Sequence, residues 1–298
     1  MRRLIVIGTR GSQLALIQAN IAKDKLDSLG FISELKIIDS KDNRSQNPNF
    51  DKNVGEVVPT KEIEDALLAK KIDMAVHPLK NLSITSSEGL ITAGLSERED
   101  PADVLIIKRA AVDEDQILNL KLNAIVGTPS TRISAQLKTI IPNVQIGNLS
   151  GNVLSRIEQF RNGEHDAIII SMSDINGLQI NLEEFKVVHL HPKEFIPAPG
   201  QGVIGYQCRK DDLEMRKIIS KIHNKSVTDA SNVERKVAQL IGGDCQLSLG
   251  VYCEKDQADN YHVYAAYVMP GSNNLKRAYL SQSTTFQLSE RILDQLLN

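Results

Sequence analysis

Apolar and polar positions along the first half of the chain predict short strands that each lead into a helix. An apolar run at residues 4–7 is followed by a polar turn at 8–12 and by helical periodicity over 14–29. The same succession returns later, with an apolar run at 124–126, a turn at 127–132 and a helical pattern at 133–140. Each turn offers Ser or Thr caps and backbone N–H groups at a helix start, which suits an anion.

A second pair of segments supports an internal duplication. Each consists of a helical pattern, a charged turn, an Asp and a buried strand: residues 63–77 through Asp73, and residues 156–171 through Asp166. Two related α/β lobes with facing strand ends predict a central cleft for a small ligand, as in periplasmic-binding-protein-like folds. The alternative is that such pairs arise by chance in any α/β protein.

The remainder of the chain differs from these two lobes. The Pro- and Gly-rich segment 189–209 predicts a crossover that returns to add a strand to the first lobe. A helix at 229–240, alternating patterns at 261–269 and 276–283 and a terminal helix at 288–297 predict a small α+β domain. The predicted domains are 1–96 with 195–212 for the first lobe, 97–194 for the second lobe, and 213–298 for the C-terminal domain.

The composition excludes several classes of partner. The 298 residues are 41% hydrophobic and 24% charged, which is typical of a globular protein. The formal net charge of -2 and the absence of Trp argue against a nucleic acid as binding partner. The N-terminal apolar run is too short for a signal peptide or a membrane span, so we expect a cytoplasmic protein with no membrane partner. The three cysteines have neither zinc spacing nor a disulfide pattern, and Cys208 and Cys253 lie in apolar patterns typical of a core.

A series of short motifs then matches one known family in order. The motifs occupy residues 7–16, 60–62, 75–80, 97–101, 126–128, 135–137, 151–153, 163–164, 166–169, 199–202, 233–235 and 243–246. Over about residues 5–252 the chain resembles porphobilinogen deaminases. One such motif would be weak evidence, but the ordered series is strong evidence for the fold.

The resemblance implies a specific chemistry. Members of the family link four porphobilinogen units into hydroxymethylbilane with release of ammonia, through an electrophilic azafulvene. They carry a dipyrromethane cofactor on a cysteine of the third domain, which corresponds to Cys245 here. The resemblance implies a monomer without a metal, whose partners are small pyrrole carboxylates.

The family's site residues are carried over only where this sequence matches them. For the cofactor these are Cys245, Ser12, Lys61, Thr128, Arg132 and Arg156; for the substrate, Arg10 and Arg156; for catalysis, Lys80 and position 81. The guanidinium group suits the acetate and propionate side chains of the pyrroles. Each arginine has the alternative of being an ordinary surface helix residue, and Cys245 that of a small buried residue.

Several family residues are missing. Asn81 follows Leu79 and Lys80, where the resemblance implies the catalytic Asp, and Asp244 precedes Cys245 where a Gly is usual. An amide accepts a hydrogen bond from a pyrrole N–H but lacks the negative charge. A carboxylate–cation pair at about 4 Å is worth roughly 4 kcal/mol at an effective dielectric near 20. If this energy is needed only in the transition state, its loss costs on the order of a thousandfold in rate.

Other departures have the same direction. The family's arginine pair keeps only Arg132, Ser150 stands where an arginine precedes the motif at 151–153, and the usual Lys-Arg pair near 173–178 is absent. Pro78, Pro59 and Glu56 replace a small hydroxyl residue, an aromatic residue and a lysine, respectively. The scaffold is therefore kept better than the residues of the reaction.

Three hypotheses remain open. The first is a working deaminase in which another acid, such as Asp100 or a carboxylate of the substrate, assists ammonia loss. The second is a weakly active or inactive paralogue that binds a pyrrole or another carboxylated ligand in the interlobe cleft. The third is a generic two-lobed binding protein. His189 and His191 could ligate a metal, but no third ligand is near them in the sequence.

Overall fold

The structure, a computed structural model, describes residues 3–38, 60–163, 165–242 and 247–298. The chain divides into two compact units: Met1–Glu99 with Gly202–Asp229, and Asp100–Gln201 with Ala230–Asn298. The predicted division into three domains stays a prediction. Helix α6 at Leu213–Ile219, predicted to begin the third domain, packs against the sheet of the first unit through Met215, Ile218 and Ile219.

The first unit is an α/β layer around a five-stranded sheet of order β2-β1-β3-β10-β4. Its strands are β1 Leu4–Thr9, β2 Ile32–Ile37, β3 Met74–Pro78, β4 Leu90–Leu95 and β10 Ile204–Arg209. Its helices are α1 Gln13–Ser28, α2 Lys61–Leu68 and α6, with 3-10 turns at Leu79–Asn81 and Lys225–Val227. Strand β10 confirms the prediction that the crossover returns to this sheet.

The second unit repeats this layer with a sheet of order β7-β6-β8-β5-β9. Its strands are β5 Asp103–Lys108, β6 Ile125–Gly127, β7 Gln145–Gly147, β8 Ala167–Ser171 and β9 Phe185–Leu190. Its helices are α3 Thr131–Ile140, α4 Val153–Asn162 and α5 Met172–Leu178, with 3-10 turns at Arg109–Ala111 and Ile117–Asn119. Buried side chains on the two faces of this sheet form separate cores.

The second unit also contains a small sheet of three antiparallel strands. It consists of β11 Leu249–Lys255, β12 Tyr261–Val268 and β13 Leu275–Gln282, with helices α7 Thr228–Leu240 and α8 Leu288–Leu297. Buried residues Leu288, Ile292 and Leu296 lie on one face of α8, which packs on β12 and β13. The predicted α+β module at the end of the chain is therefore confirmed.

The two large sheets share one topology. In both, the first three strands are parallel, and the fourth strand runs antiparallel to the strands on each side of it. The fourth strand is β10 in the first unit and β5 in the second, so each sheet receives this strand from outside its own run of parallel strands. The predicted pair of related lobes is present.

Matching aspartates fix corresponding strands in the two units. The Oδ2 atom of Asp73 accepts a hydrogen bond from the N–H of Val6 at 2.9 Å, and its own N–H donates to the oxygen of Val6 at 2.8 Å. Asp166 makes the same pair of bonds with Ile125, at 2.9 and 2.8 Å. Each aspartate also pairs with a basic residue, Arg3 or Lys121. The predicted duplication therefore extends to individual hydrogen bonds.

We expect Asp166→Asn to lower the free energy of unfolding by about 1–2 kcal/mol at pH 7, because it weakens a charge-assisted bond to a partly buried backbone group. Burial alone would raise the pKa of Asp166, but the Lys121 ammonium and the N–H of Ile125 hold this pKa below its ordinary value of 3.8. The stabilisation is thus present above that value and is lost as the pH falls below it. In urea unfolding, the difference in the free energy of unfolding between wild type and variant should become smaller as the pH falls toward 3.

The exposed Asp115→Asn variant is the control, and it should change stability by less than about 0.5 kcal/mol at both pH values. If Asp166→Asn lowers the free energy of unfolding by the same amount at pH 7 and at pH 3, the negative charge of Asp166 does not have the role assigned to it.

Candidate functional site

Predicted site residues of the first unit lie at the carboxyl ends of neighbouring parallel strands. Strand β1 pairs with β3, with Gly8 opposite Ala75. Arg10 and Ser12 follow β1, and Lys80 and Asn81 lie in the 3-10 turn that follows β3. Parallel strands end at the same edge of a sheet, so the structure brings these four residues to one edge. Lys61 is the first residue of α2 and is exposed, and its predicted contact with a cofactor stays a prediction.

Backbone contacts hold this edge in place. The Oγ atom of Ser12 accepts a hydrogen bond from the N–H of Ala15 and caps α1. The N–H of Leu79 donates to the oxygen of Val203 at 2.7 Å, which ties the turn of Lys80 and Asn81 to the segment before β10. Ser12 therefore has a structural role as a helix cap, and its predicted contact with a cofactor stays a prediction.

A buried histidine lies beside this edge and was not among the predicted site residues. His77 is 3% exposed, and its Nε2 atom has no hydrogen-bond partner among the described residues. Burial, together with the positive charge of Arg10, lowers the pKa of His77 to about 4. His77 is therefore a neutral imidazole at pH 7. The detectable signal was a polar residue within the otherwise apolar strand 74–77.

Below His77 the buried polar groups form a connected set. The Nε2 atom of Gln207 donates to Glu64 at 3.2 Å, and the hydroxyl of Ser87 donates to the same carboxylate at 2.6 Å. Glu64 and Gln207 are 7% and 1% exposed. These bonds fasten helix α2, whose first residue is Lys61, to the centre of the sheet.

In the second unit, the predicted residues of the turn after β6 lie at the start of α3. Thr128 is buried, and its hydroxyl oxygen accepts a hydrogen bond from the N–H of Ser130 at 3.2 Å. Ser130 in turn caps α3 by accepting from the N–H of Ile133. This repeats the cap of Ser12 in the first unit, as the duplication predicts.

Arg132 is buried in an ion pair. Its Nη1 atom donates to the Oδ2 atom of Asp103 at 2.8 Å and to the oxygen of Ile196 at 2.9 Å. The alternative that Arg132 is a surface helix residue is wrong, because it is only 6% exposed. Its predicted role in cofactor binding stays a prediction.

The same network fastens the crossover segment 195–201. Gln136 donates to the oxygen of Ile196 at 2.8 Å and accepts from its N–H at 2.7 Å. Gln201 donates to the oxygen of Pro101 and to the Oδ1 atom of Asp103. Asp103 and Gln201 were missed at the sequence level, because their partners are distant in the chain.

Arg156 lies in α4, half-buried, in the first turns of a helix that Asn152 caps. The Oδ1 atom of Asn152 accepts a hydrogen bond from the N–H of Ser155 at 3.0 Å. The preceding Gly151 has a φ of +90°, a conformation that favours glycine. Thr128, Arg132 and Arg156 thus belong to helix starts of the second unit.

Cys245 and Asp244 lie outside the described residues, as do Glu56 and Pro59. The helix that precedes Cys245, α7, is fixed by Glu234, which is fully buried. This carboxylate accepts hydrogen bonds from the N–H groups of Gly200 at 2.7 Å and Cys253 at 2.8 Å. Glu234 therefore joins α7 to the crossover and to β11.

The other two cysteines and the candidate metal ligands have ordinary roles. Cys208 and Cys253 are buried as predicted, and burial raises the pKa of Cys208 to about 11. His189 pairs with Asp100 at 2.9 Å, and the Nδ1 atom of His191 accepts from the N–H of Lys193. Within the four described ranges, no group of three or more His, Cys, Asp or Glu residues could hold a metal. None of the helices in these same ranges combines the length and the apolar character needed to cross a membrane.

Comparisons with known proteins agree with the motif series. The family model described as the dipyrromethane cofactor-binding domain of porphobilinogen deaminase matches residues 5–217. A porphobilinogen deaminase of Fusobacterium nucleatum is 35% identical over 91% of this chain and 90% of its own length. A probable porphobilinogen deaminase of Methanocaldococcus jannaschii is 37% identical, over 85% of each chain. One from a Nitratiruptor species is 33% identical over 99% of this chain and 93% of its own.

Among solved structures, a periplasmic binding protein of Salmonella typhimurium with high arginine specificity aligns with 74% of this chain and 92% of its own. The two share 12% identity with a TM-score of 0.43, which is too low to establish a common fold by itself. The assignment of two related α/β lobes therefore depends on the strand orders described above.

We expect Arg132→Met to lower the free energy of unfolding by about 3 kcal/mol, because it leaves the carboxylate of Asp103 buried without its cation. Urea unfolding is the measurement. Arg161→Met is the matched control: Arg161 pairs with Glu184, but the two side chains are 42% and 55% exposed, so the loss should stay within about 1 kcal/mol. Equal losses in the two variants would show that burial does not distinguish the pairs.

His77 should make stability depend on pH. Its pKa is about 4 in the folded chain and 6.5 as the ordinary value, so the unfolded chain binds the proton more readily. The stabilisation is complete above pH 6.5 and decreases as the pH falls toward 4, by on the order of 3 kcal/mol in total. Compared with His77→Phe, the wild type should lose stability more steeply between pH 7 and 5. His191→Asn, at an exposed position, should follow the wild type.

Proposed function

Because this chain belongs to the porphobilinogen deaminase family, we propose that it joins porphobilinogen units into hydroxymethylbilane with release of ammonia, a step of tetrapyrrole biosynthesis. The observation that carries the proposal is the strand-end edge of the first unit, where Arg10, Lys80 and Asn81 follow two neighbouring parallel strands. A guanidinium and an ammonium at one edge suit the two carboxylate side chains of porphobilinogen.

The substrate would be bound by charge and oriented by hydrogen bonds. Arg10 can hold a propionate or acetate in a fork, and Lys80 can hold another as a point charge. The side-chain oxygen of Asn81 can accept a hydrogen bond from the pyrrole N–H and so orient the ring. The neutral imidazole of His77 adds no positive charge beside Arg10 that would oppose a cationic intermediate.

The residues for the cofactor fit in part. Arg156 and the start of α4 offer a cation and a helix N-terminus to the cofactor's carboxylates, and Thr128 lies at the start of α3. Arg132 is less suited to binding the cofactor, because its Nη1 atom already donates hydrogen bonds to Asp103 and to the oxygen of Ile196. A dipyrromethane on Cys245 would supply the free pyrrole position onto which new rings are added.

A second candidate function is favoured by Asn81. Without the carboxylate at this position, the chain can bind pyrrole carboxylates and yet turn them over slowly or not at all. In that case it is a binding paralogue whose ligand is a pyrrole or another carboxylated molecule. We favour the enzyme, because Arg10, Arg132, Arg156, Lys61, Lys80 and Cys245 are kept at their family positions. We further propose a cytoplasmic monomer whose partners are small pyrrole carboxylates.

The first test is the intact mass of the protein after co-expression with enzymes that supply porphobilinogen. We expect a mass increased by two pyrrole units, and the unmodified mass for Cys245→Ser. A folded wild type that stays unmodified and consumes no porphobilinogen would overturn the enzyme proposal. Binding of porphobilinogen without turnover would then support the paralogue.

The second test is Asn81→Asp, which restores a negative charge where the cation develops. Turnover of porphobilinogen should rise, by up to about a thousandfold if no other carboxylate serves the reaction. The rate of porphobilinogen consumption is the measurement, with the thermal midpoint as a folding control. Asp24→Asn, an exposed change on α1, should leave the rate unchanged.

A further inference from the structure

One face of the three-stranded sheet carries a row of tyrosines. Tyr252, Tyr264 and Tyr279 lie directly opposite one another on β11, β12 and β13. Side chains alternate along a strand, so the buried residues Val251 and Val263 belong to the other face. Tyr279 is the most exposed of the three tyrosines, with 51% of its surface open to solvent.

The hydroxyl of Tyr279 is hydrogen-bonded to a histidine on the neighbouring strand. Its Oη atom lies 2.9 Å from the Nδ1 atom of His262, and the two rings are within 8° of parallel. The Nε2 atom of the same imidazole lies 2.9 Å from the Oδ2 atom of Asp256. Tyr279, His262 and Asp256 thus form a hydrogen-bonded triad, and all three residues belong to the second unit.

Asp256 is fixed by the turn between β11 and β12. Its Oδ1 atom accepts hydrogen bonds from the N–H groups of Ala258 and Asn260, each at 2.8 Å. The hydrogen bond from His262, followed by that from the N–H of Asn260, lowers the pKa of Asp256 to about 2. Asp256 is therefore a carboxylate at neutral pH and can only accept hydrogen bonds.

This carboxylate decides which nitrogen of the neutral imidazole carries the proton. Because Asp256 only accepts, the Nε2 atom of His262 is the donor, and the Nδ1 atom keeps its lone pair. The hydroxyl of Tyr279 then donates to Nδ1. A hydroxyl that donates to a base, which is itself oriented by a carboxylate, is the arrangement of an activated nucleophile.

Two further charged groups near His262 are paired with each other. Glu254 lies directly opposite His262 on β11, and its carboxylate accepts a hydrogen bond from the hydroxyl of Tyr252 at 3.0 Å. The ammonium of Lys193 lies 2.6 Å from the same carboxylate. Glu254 therefore does not replace Asp256 as the partner of the imidazole.

We propose that Tyr279 is a nucleophile that takes an acyl group from an activated ester, with His262 as its general base and Asp256 as the positioning residue of that base. The Oη atom of Tyr279 forms a bond to the carbonyl carbon of the ester, and its proton moves to the Nδ1 atom of His262. The bond from this carbon to the alcohol oxygen breaks with its electron pair on oxygen, which takes the proton from His262. The products are an acyl-tyrosine and the free alcohol.

The neighbouring tyrosine indicates which esters suit the site. The ring centroids of Tyr264 and Tyr279 are 4.8 Å apart, so a flat aromatic surface adjoins the nucleophile. An aromatic leaving group can pack against this ring. Small aryl esters are therefore the substrate class. The competing explanation is structural, namely that the triad only fastens the turn at 256–260 to β13.

The test uses the full-length protein and p-nitrophenyl acetate at about pH 8, followed by release of nitrophenolate and by peptide mass. One acetyl group should appear on Tyr279, and Tyr279→Phe should remove this site of acetylation. His262→Asn should lower the rate of acetylation at Tyr279 by about a hundredfold, because it removes the base and leaves the phenol exposed. His191→Asn is the matched control at an exposed histidine, and the rate should stay within about twofold.

Asp256→Asn tests the positioning role. The amide oxygen keeps the bonds to Ala258 and Asn260, so the amide nitrogen faces His262 and donates to Nε2. The proton of the imidazole then moves to Nδ1, which no longer accepts from Tyr279. We expect acetylation to slow by about tenfold or more. Nitrogen chemical shifts should report the proton on Nε2 in the wild type and on Nδ1 in the variant, a change that a purely structural role does not produce.

Two results would overturn the proposal. One is acetylation of lysines or the N-terminus without acetylation of Tyr279. The other is acetylation of Tyr279 at the same rate in the wild type and in a folded His262→Asn variant, because Tyr279 is then an ordinary exposed phenol. If His262→Asn does not fold, as judged by its thermal midpoint, the same comparison is made with Asp256→Asn. None of these results affects the proposed deaminase function, since neither porphobilinogen nor the strand-end edge of the first unit takes part.

Discussion

The structure depends on two carboxylates that each fix a pair of parallel strands. Asp73 and Asp166 exchange hydrogen bonds with Val6 and Ile125, and each is held by a basic partner. A shift by one residue would move every side chain of the following strand to the other face of the sheet. The positions of His77, Lys80 and Asn81 in one unit, and of the end of β8 beside β6 in the other, all follow from this register.

The fold was predictable from the sequence because its signals are local. Apolar runs, capping residues and the two aspartates recur within short windows, and they gave the paired lobes, the returning strand and the final α+β module. The ion pair of Arg132 with Asp103 was not predictable, because the partners are far apart in the chain. His77 beside Arg10 is a similar case, since only the pairing of β1 with β3 brings them together.

The candidate site could be predicted as a set of residue types but not as a set of contacts. The sequence identified Arg132 as a cation, but it did not show that this side chain is buried and donates to the carboxylate of Asp103 and the carbonyl of Ile196. It showed a missing charge at Asn81, but not that the pairing of β1 with β3 brings Asn81 to the same sheet edge as Arg10.

The origin of strand β10 has a consequence for the order of synthesis. The first sheet is incomplete until residues 204–209 exist, because β10 lies between β3 and β4. By the time the ribosome has made Arg209, all five strands of the second sheet, from β5 to β9, have already been translated. The first sheet, although its first strand begins the chain, is thus completed after the second sheet. In a nascent chain that stops before Ile204, the edges of β3 and β4 that pair with β10 are unpaired.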